Sequence, residues 1–387
     1  MSRRSWRARF VWLLVLALFV DGASRLGLYV LARARHIEYR PIALALSERE
    51  RREATAIVAA KEFDCLEYDA ELGWAPRPGA CANSLGARGR REYSPRPAPG
   101  IVRLAAFGDS FTWGHDCTPD QTWEHRLEVA RPNLEVLNYG VGAYGVDQAL
   151  LRFERAGADA HASIVLIGFI SENVIRHVNV YRPFIYPGAF PLTKPRFVLA
   201  GDGLALLPNP IPTIAGYQAL LSDERASILR FGEHDAHFRS GYHAGAMDWL
   251  AAVRFFKLLG HTLRPALDRE PIAISDVYDT RLESFRVTTR LFDRFSNEVA
   301  ERGSTPVIVI LPTEADLGRR RAGQPPLYGP LLEHFRARGY RVIDTSEAFN
   351  AAGDYFTASH HLNAAANQLV GDAIGAALER DGLIPAR

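Results

Sequence analysis

Hydrophobic and polar positions follow two alternating rhythms from residue 101 onward. Short apolar runs have the length and composition of buried strands, and segments with helical spacing separate them. The runs are IVRLAAF (101–107), LEVLNYG (134–140), SIVLIGF (163–169), TPVIVILP (305–312) and YRVIDT (340–345). Strands that alternate with helices predict βαβ crossovers and a parallel sheet covered on both faces. The pattern therefore predicts a three-layer α/β/α domain with a five-stranded parallel sheet.

The pattern divides the chain into predicted parts. Residues 1–33 are apolar after a basic start, and residues 34–100, called the lead-in below, are rich in Pro, Gly and Arg and lack a helical period. We expect the lead-in to pack on the main domain, because it carries aromatic and aliphatic side chains to bury. Residues 101–387 form the main domain, with an insertion at about 174–285 between the third and fourth strands. Within this insertion, KPRFVLAGDGLALLP (194–208) predicts a hairpin around its Gly-Asp-Gly turn.

The N-terminal segment predicts a signal anchor, that is, a transmembrane helix. Several arginines precede the apolar core at residues 10–20, an order typical of a secretion signal or a signal anchor. The core extends to Ala32, long enough for the roughly 20 residues that a bilayer requires, if Asp21 and Arg25 neutralise each other on one helix face. A cleaved signal peptide is the alternative, but cleavage after Ala23 would put Asp21 where a small residue is preferred. The basic start predicts a body outside the cytoplasm, in the periplasm or beyond.

Composition narrows the classes of partner. The 387 residues include 46 basic and 44 acidic side chains, a net charge of +2, so we expect no nucleic-acid partner. No CxxC pair and no histidine spacing typical of metal ligands occur, so we expect no metal and no cofactor. GVGAYG matches a dinucleotide loop only weakly. Cys65 and Cys81 could form a disulfide in an oxidising compartment or remain free thiols, and the sequence leaves both open.

Polar residues follow four of the predicted strands at their carboxyl ends, where sites form in open parallel sheets. The first strand leads into Gly-Asp-Ser, which ends at Ser110, and the second into NYGVGAYG (138–145). GFISENVIR (168–176) follows the third strand, and DYFTASHHLN (354–363) follows the fifth. A serine, a Gly-rich turn, an asparagine and a histidine are therefore expected at one edge of the sheet.

These blocks resemble those of the SGNH, or GDSL, hydrolases. That family carries a Ser in a Gly-Asp-Ser block, a Gly in the turn after the second strand, an Asn after the third and a His near the C-terminus. The resemblance covers about residues 101–176 and residues 305 to the end, and its first and last blocks are the more specific. It implies a flavodoxin-like SGNH fold, a serine esterase activity and no cofactor.

The resemblance implies the catalytic pair. Ser110 matches the nucleophile and His361 matches its base, because a hydroxyl attacks an ester only when a base removes its proton. The neighbouring His360 fits the family pattern less well. The family usually has an Asp three residues before the His, where this chain has Ala358. Asp354 is the alternative acid, and a Ser–His dyad held by a backbone carbonyl is another.

The resemblance also implies an oxyanion hole. The backbone N–H groups of Ser110 and Ala143 and the side chain of Asn173 are the expected donors. Ala143 stands where the family has Gly, and Glu172-Asn173 reverses the family's order of Asn before an acid. Asp109 is expected to cap the turn that follows it.

Together these features predict an extracytoplasmic, membrane-anchored esterase that removes an O-acyl group, with acetyl expected, from a carbohydrate ester. Trp113 and Tyr144 flank the predicted site and are expected to serve either as core residues or as a platform for a sugar ring. An O-acyltransferase acting on a cell-surface polysaccharide is one alternative. A non-catalytic sugar-binding or assembly protein on a degenerate SGNH fold is another, because the acid at position 358 is missing and the Asn block is altered.

Overall fold

The computed structural model describes residues 3–35, 37–60, 62–63, 65–263, 277–350 and 353–386. Part of the predicted insertion, residues 264–276, lies outside the described residues. In chain order the strands are β1 (Glu62–Phe63), β2 (Leu66–Asp69), β3 (Gly73–Pro76), β4 (Val102–Gly108), β5 (Leu134–Gly140), β6 (Ile164–Phe169), β7 (Arg196–Ala200), β8 (Gly203–Leu207), β9 (Thr305–Ile310) and β10 (Val342–Asp344). The helices are α1 (Arg3–Arg35), α2 (Glu48–Ala60), α3 (Ser110–Trp113), α4 (Trp123–Val129), α5 (Val146–Ala156), α6 (Asn173–Arg176), α7 (Ala215–Ser222), α8 (Glu224–Gly232), α9 (Ala236–Ser240), α10 (Ala251–Leu263), α11 (Glu283–Glu301), α12 (Glu314–Arg321), α13 (Gly329–Arg338) and α14 (Ala364–Arg380).

The central sheet has the order β10-β9-β6-β4-β5, and all of its neighbouring strands are parallel. All five strands coincide with the apolar runs of the sequence. Leu104 of β4 lies opposite Val136 of β5 on one side and Ile164 of β6 on the other. The first strand of the sheet therefore lies between the second and the third, the strand order of flavodoxin-like folds, and the direction of the crossovers reverses beside β4.

Side chains of the sheet alternate between two cores. Ala105 and Phe107 of β4 point into the core formed with α5, α11 and α13, whereas Leu104 and Ala106 point into the core formed with α4 and α14. Because both faces are covered, the strands read as nearly continuous apolar runs. The predicted three-layer α/β/α class is confirmed.

A third core joins the lead-in to the insertion and covers the carboxyl edge of the sheet. Trp74 of β3 packs edge-on against Tyr144, which follows β5, with ring centroids 5.5 Å apart, and its Nε1 donates to the Gly142 carbonyl at 3.0 Å. Tyr217 and Phe231, from α7 and α8, belong to the same core. The lead-in contains two features that the sequence did not predict, the 13-residue helix α2 and the small antiparallel sheet of β1, β2 and β3. β7 and β8 form the predicted hairpin. The lead-in and the insertion therefore pack together over the carboxyl edge of the sheet.

The two cysteines of the lead-in, Cys65 and Cys81, are joined in a disulfide with their Cα atoms 5.6 Å apart. Of the two states that the sequence left open, the structure therefore has the bonded one. The bond joins positions that are 16 apart in the sequence, and the neighbouring Leu66 packs against the third core. Cys117 is a buried free thiol.

The N-terminal helix α1 is long and apolar enough over Ala8–Ala34 to cross a membrane, and little of that stretch is buried. A signal sequence near an N-terminus has the same properties. Arg25 Nε donates to Asp21 Oδ2 at 3.0 Å, so the two charges meet on one helix face as predicted. The other Asp21 oxygen accepts from the backbone N–H of Ala252 at 3.0 Å, at the start of α10. The last turns of α1 therefore pack on the folded body.

Candidate active site

The Gly-Asp-Ser stretch forms a sharp turn from β4 into the short helix α3. Asp109 caps that helix, because its Oδ1 accepts from the Phe111 N–H at 2.8 Å. A Cβ atom at position 108 would collide with the Thr112 side chain and come within 3.3 Å of the Gly168 carbonyl oxygen. Only glycine fits so close an approach. The turn presents Ser110 at the carboxyl edge of the sheet.

His361 reaches Ser110 from a loop near the C-terminus. Its Nε2 lies 2.9 Å from Ser110 Oγ, across 251 positions of sequence. A tight turn in which Thr357 N–H donates to the His361 carbonyl at 2.8 Å fixes the loop. His360 points elsewhere, and its Nδ1 lies 2.8 Å from a carboxylate oxygen of Glu314. Of the two adjacent histidines, His361 is therefore the one in contact with the serine.

A serine and an aspartate hold the far side of the His361 ring. Nδ1 lies 2.8 Å from Ser359 Oγ, and Ser359 Oγ in turn contacts Asp116 Oδ2. Thr357 Oγ1 donates to the same carboxylate oxygen at 2.6 Å. If Ser359 donates to Asp116, it accepts from Nδ1–H, which leaves Nε2 unprotonated to accept from the Ser110 hydroxyl. The chain Asp116–Ser359–His361–Ser110 thus has one consistent direction of hydrogen bonding.

Asp354, the predicted acid, lies in a different place from this chain of contacts. Its backbone carbonyl accepts from Asn363 Nδ2 at 3.0 Å, and Asn363 is the N-cap of α14. The structure therefore places Ser359, backed by Asp116, at the ring nitrogen for which the sequence offered Asp354.

The charges around His361 favour its neutral form. Burial lowers the pKa of His361 to about 4, and the His115 ring, with its centroid 4.6 Å away, adds like-charge repulsion to that effect. The Asp116 carboxylate opposes both. Although burial acts against it, hydrogen bonds from Ser359 and Thr357 lower the pKa of Asp116. At neutral pH the imidazole is therefore free to accept a proton while Asp116 is charged.

Two backbone N–H groups are available beside Ser110. The Ser110 N–H opens α3, where N–H groups have no acceptor within the helix. The Ala143 N–H donates to no described residue, and its backbone is held in the left-handed region at φ 70°. Arg182 Nη1 donates to the Ala143 carbonyl at 2.9 Å and so stabilises this conformation. Ser110 and Ala143 both line the cavity described below.

Asn173, the third predicted donor, contacts Asp109 and does not line the cavity described below. Its Nδ2 donates to Asp109 Oδ2 at 2.9 Å, its Oδ1 accepts from the Ile170 N–H at 3.2 Å, and the residue is fully buried. Arg176 Nη1 lies 3.5 Å from the same Asp109 oxygen. Burial raises the pKa of Asp109, and Arg176 and Asn173 oppose that rise. In this structure Asn173 therefore holds Asp109, the cap of the turn that presents Ser110.

Trp113 and Tyr144 lie in different places, one in the cavity wall and the other in the third core. Trp113 lines the cavity, with the Arg88 guanidinium 4.7 Å from its ring centroid. Tyr144 is buried in the third core, and its hydroxyl donates to the Trp74 carbonyl at 2.5 Å. Only Trp113 can touch a ligand in this conformation.

Ser110 and His361 open into a cavity of about 950 Å³ between the sheet edge, the lead-in and the insertion. Its wall is largely apolar and includes Trp74 and Leu192. Three arginines, Arg49, Arg176 and Arg182, also line it. Sequence reasoning did not select Asp116, Ser359, Arg176 or Arg182. The only signals for the first two were their positions beside the Gly-Asp-Ser and His-His blocks.

Comparisons with known proteins give structural neighbours only. No family model matches the chain, and no curated protein does. Similar solved structures include a putative lipolytic protein of the G-D-S-L family from Desulfitobacterium hafniense DCB-2, with 10% sequence identity, 72% of this chain and 99% of that chain covered, and a TM-score of 0.36. A lipase/acylhydrolase from Enterococcus faecalis is 13% identical, with coverage of 73% and 97% and a TM-score of 0.36. A lipolytic protein of the G-D-S-L family from Veillonella parvula DSM 2008 is 12% identical, with coverage of 70% and 96% and a TM-score of 0.33.

These neighbours carry the family name that the sequence blocks suggested.

Proposed function

We propose that this protein is a serine ester hydrolase of the SGNH type. The observation that supports it best is the 2.9 Å contact between Ser110 Oγ and His361 Nε2, made while Nδ1 is held from the other side. A nucleophile, a base within hydrogen-bond reach and a group that orients the base are the arrangement required for covalent acyl transfer.

The proposed reaction has two stages. Ser110 Oγ attacks the acyl carbon of the ester, its proton passes to His361 Nε2, and the Ser110 and Ala143 N–H groups stabilise the oxyanion. Each such donor contributes on the order of 3 kcal/mol to the stability of the transition state. His361 then gives its proton to the departing alcohol, which leaves an acyl-serine. A water molecule, deprotonated by His361, attacks that acyl-serine, and the acid leaves as Ser110 recovers its proton.

The charged Asp116 stabilises the imidazolium that forms in both stages, through Ser359. In a Ser-His-Asp triad the carboxylate contacts the ring directly. Here a hydroxyl lies between the two, so we propose that Asp116 orients Ser359 and that Ser359 fixes the His361 tautomer. Asp116 and Ser359 are positioning residues in this scheme.

For the substrate, we propose an O-acyl ester of a carbohydrate, with acetyl as the acyl group. Trp113 in the cavity wall supports a sugar ring as ligand, because aromatic faces pack well against apolar ring surfaces. For the location, we propose an extracytoplasmic domain anchored by α1. The Cys65–Cys81 disulfide supports this location, since such bonds persist in oxidising compartments.

The experiment that tests the activity combines hydrolysis of p-nitrophenyl acetate with labelling by a fluorophosphonate probe. Wild-type protein should be labelled at Ser110, and Ser110→Ala should lose both labelling and hydrolysis. Ser171→Ala is the matched control, because Ser171 also lines the cavity but its hydroxyl donates to Asp316 at 2.8 Å. Equal hydrolysis by wild type and Ser110→Ala would refute the proposal.

Acyl transfer to a sugar hydroxyl is the second candidate. The apolar wall of the cavity favours it, because a site that excludes water slows hydrolysis of the acyl-serine. Incubation of the labelled acyl donor with a polysaccharide acceptor separates the two. Label on the acceptor indicates transfer, and free acid alone indicates hydrolysis.

A further inference from the structure

Arg182 differs from its neighbours in the cavity wall. It begins a short 3-10 turn of the insertion and is half-buried, with its guanidinium 5.1 Å from the Tyr186 ring centroid and 6.0 Å from that of Trp74. The guanidinium makes one hydrogen bond with the described residues, from Nη1 to the Ala143 carbonyl. A guanidinium carries five N–H donors, so most of the fork remains available.

Several buried Arg and Lys side chains each have either a carboxylate partner or several carbonyl acceptors. The ion pairs are Arg103–Glu135, Arg131–Glu379, Arg176–Glu172, Lys194–Asp147 and Arg196–Glu283. Arg152 has no carboxylate, but it donates from both terminal nitrogens to backbone carbonyls of three residues. Arg182 has neither arrangement. Enclosing a cation without a counter-charge is costly, so a site that keeps one unpaired is suited to receive an anion.

No carboxylate among the described residues forms an ion pair with Arg182, although the charge of Glu172 acts on it from further away and opposes the fall in its pKa. Glu172 pairs with Arg176 at 3.2 Å, and Glu314 pairs with His360 at 2.8 Å. Burial lowers the pKa of Arg182 to about 9, and the nearby Arg176 acts in the same direction. Arg182 is therefore still charged at neutral pH. Glu172 and Glu314 would repel a dianion more strongly than a monoanion, which favours a singly charged ligand such as a carboxylate over a doubly charged phosphate.

We infer that Arg182 binds a carboxylate of the substrate, so that the enzyme acts on O-acylated acidic sugars in preference to neutral ones. This inference rests on the proposed function, because it assigns the substrate class of the same site. The planar fork of arginine matches a carboxylate in a bidentate manner. The same guanidinium holds the Ala143 carbonyl, so the bound carboxylate and the oxyanion donor at Ala143 are positioned by one side chain.

The test compares O-acetylated glucuronic acid with O-acetylated glucose acetylated at the same hydroxyl. Wild type should have the higher kcat/KM for the acidic sugar. Arg182→Gln should lose about 10- to 100-fold of kcat/KM on the acidic sugar, the range for a hydrogen bond to a charged group. It should lose less on the neutral sugar, so the acid-to-neutral ratio should collapse. Arg182→Lys should retain part of the preference, because it keeps the charge but not the fork.

Arg49→Gln is the matched control. Arg49 lines the same cavity but pairs with Glu53, Nε to Oε1, at 2.8 Å, so this variant should keep the wild-type ratio. A wild-type preference for the neutral sugar overturns the inference, and so does an equal loss on both sugars in Arg182→Gln. If that variant does not fold, the wild-type ratio measured at low and at high salt decides, since only an ionic preference falls with salt. Failure of the fluorophosphonate to label Ser110 would instead refute the proposed hydrolase.

Discussion

The two halves of the candidate active site are built differently. The nucleophile turn, Gly108–Trp113, is buried at the end of β4, an interior strand of the sheet, and its shape is set by a cap and by a glycine at which any Cβ atom would clash with Thr112. The base loop, Thr357–His361, lies at the surface and is held by polar side chains that converge on Asp116. The comparison teaches that the backbone fixes the serine, whereas the histidine depends on a few exposed hydrogen bonds.

The largest expected effect separates the two adjacent histidines of the base loop. His361→Ala should lower kcat for p-nitrophenyl acetate by about 10⁴-fold or more, because the serine loses its base. His360→Ala is the control and should stay within about threefold of wild type, since His360 contacts Glu314 at the surface. Equal losses of kcat in the two variants would contradict the assignment of His361, and not His360, as the base.

The next largest effect concerns the polar contacts of the base loop. Asp116→Asn should lower kcat by about 10²- to 10⁴-fold, the upper value being that for loss of a directly bonded triad carboxylate. Ser359→Ala should cost less, about 10- to 100-fold, because the ring loses one hydrogen bond but keeps a nearby negative charge. Both should leave KM nearly unchanged. A loss confined to KM would mean that these residues bind substrate and do not orient the base.

Stability should respond in the nucleophile turn and not in the base loop. Gly108→Ala should lower the free energy of unfolding by about 1–3 kcal/mol, because the added methyl group overpacks a buried corner. Ser359→Ala should change it by about 0.5 kcal/mol or less, as exposed substitutions usually do. Urea unfolding followed by circular dichroism checks both values. A similar destabilisation by the two variants would contradict the contrast between the halves.

The smallest expected effect is a displacement of the acidic limb of the pH profile. The base must be neutral, so kcat/KM should fall as pH decreases through the His361 pKa of about 4. His115→Gln removes a repulsion of the imidazolium, so that limb should move to higher pH. Asp116→Asn removes an attraction, so the limb should move to lower pH. If the limb moved in the same direction in both variants, the charges of His115 and Asp116 would not be acting on the His361 pKa in opposite directions.

The sheet could be predicted from sequence because both of its faces are buried. The five apolar runs correspond to the five strands, and the loops after β4 and after β10 bring Ser110 and His361 together. The small β1–β3 sheet was missed, since its strands have two to four residues within a Pro- and Gly-rich stretch and carry no periodic signal.

The carboxylate that contacts Ser359, Asp116, could not be predicted from the spacing of residues in the sequence. Asp116 precedes Ser359 by 243 positions, and its backbone adopts φ 64°, a left-handed conformation that aspartate tolerates better than most residues. Its side chain reaches the histidine only because two distant loops meet. Asn173 illustrates the opposite case. Its position in the sequence matches an oxyanion donor, but its amide packs against Asp109. Sequence motifs therefore identify candidate residues, but the contacts of a side chain in the folded protein determine the role that it can have.

The contact between Asp21 and the start of α10 changes what the N-terminal helix can do. A flexible tether would let the domain reorient freely relative to the helix. Here α1 packs closely on the insertion, with Gly27 lying directly against the Phe255 ring. In a membrane-bound chain, this packing would restrict the rotation of the folded domain relative to the N-terminal helix.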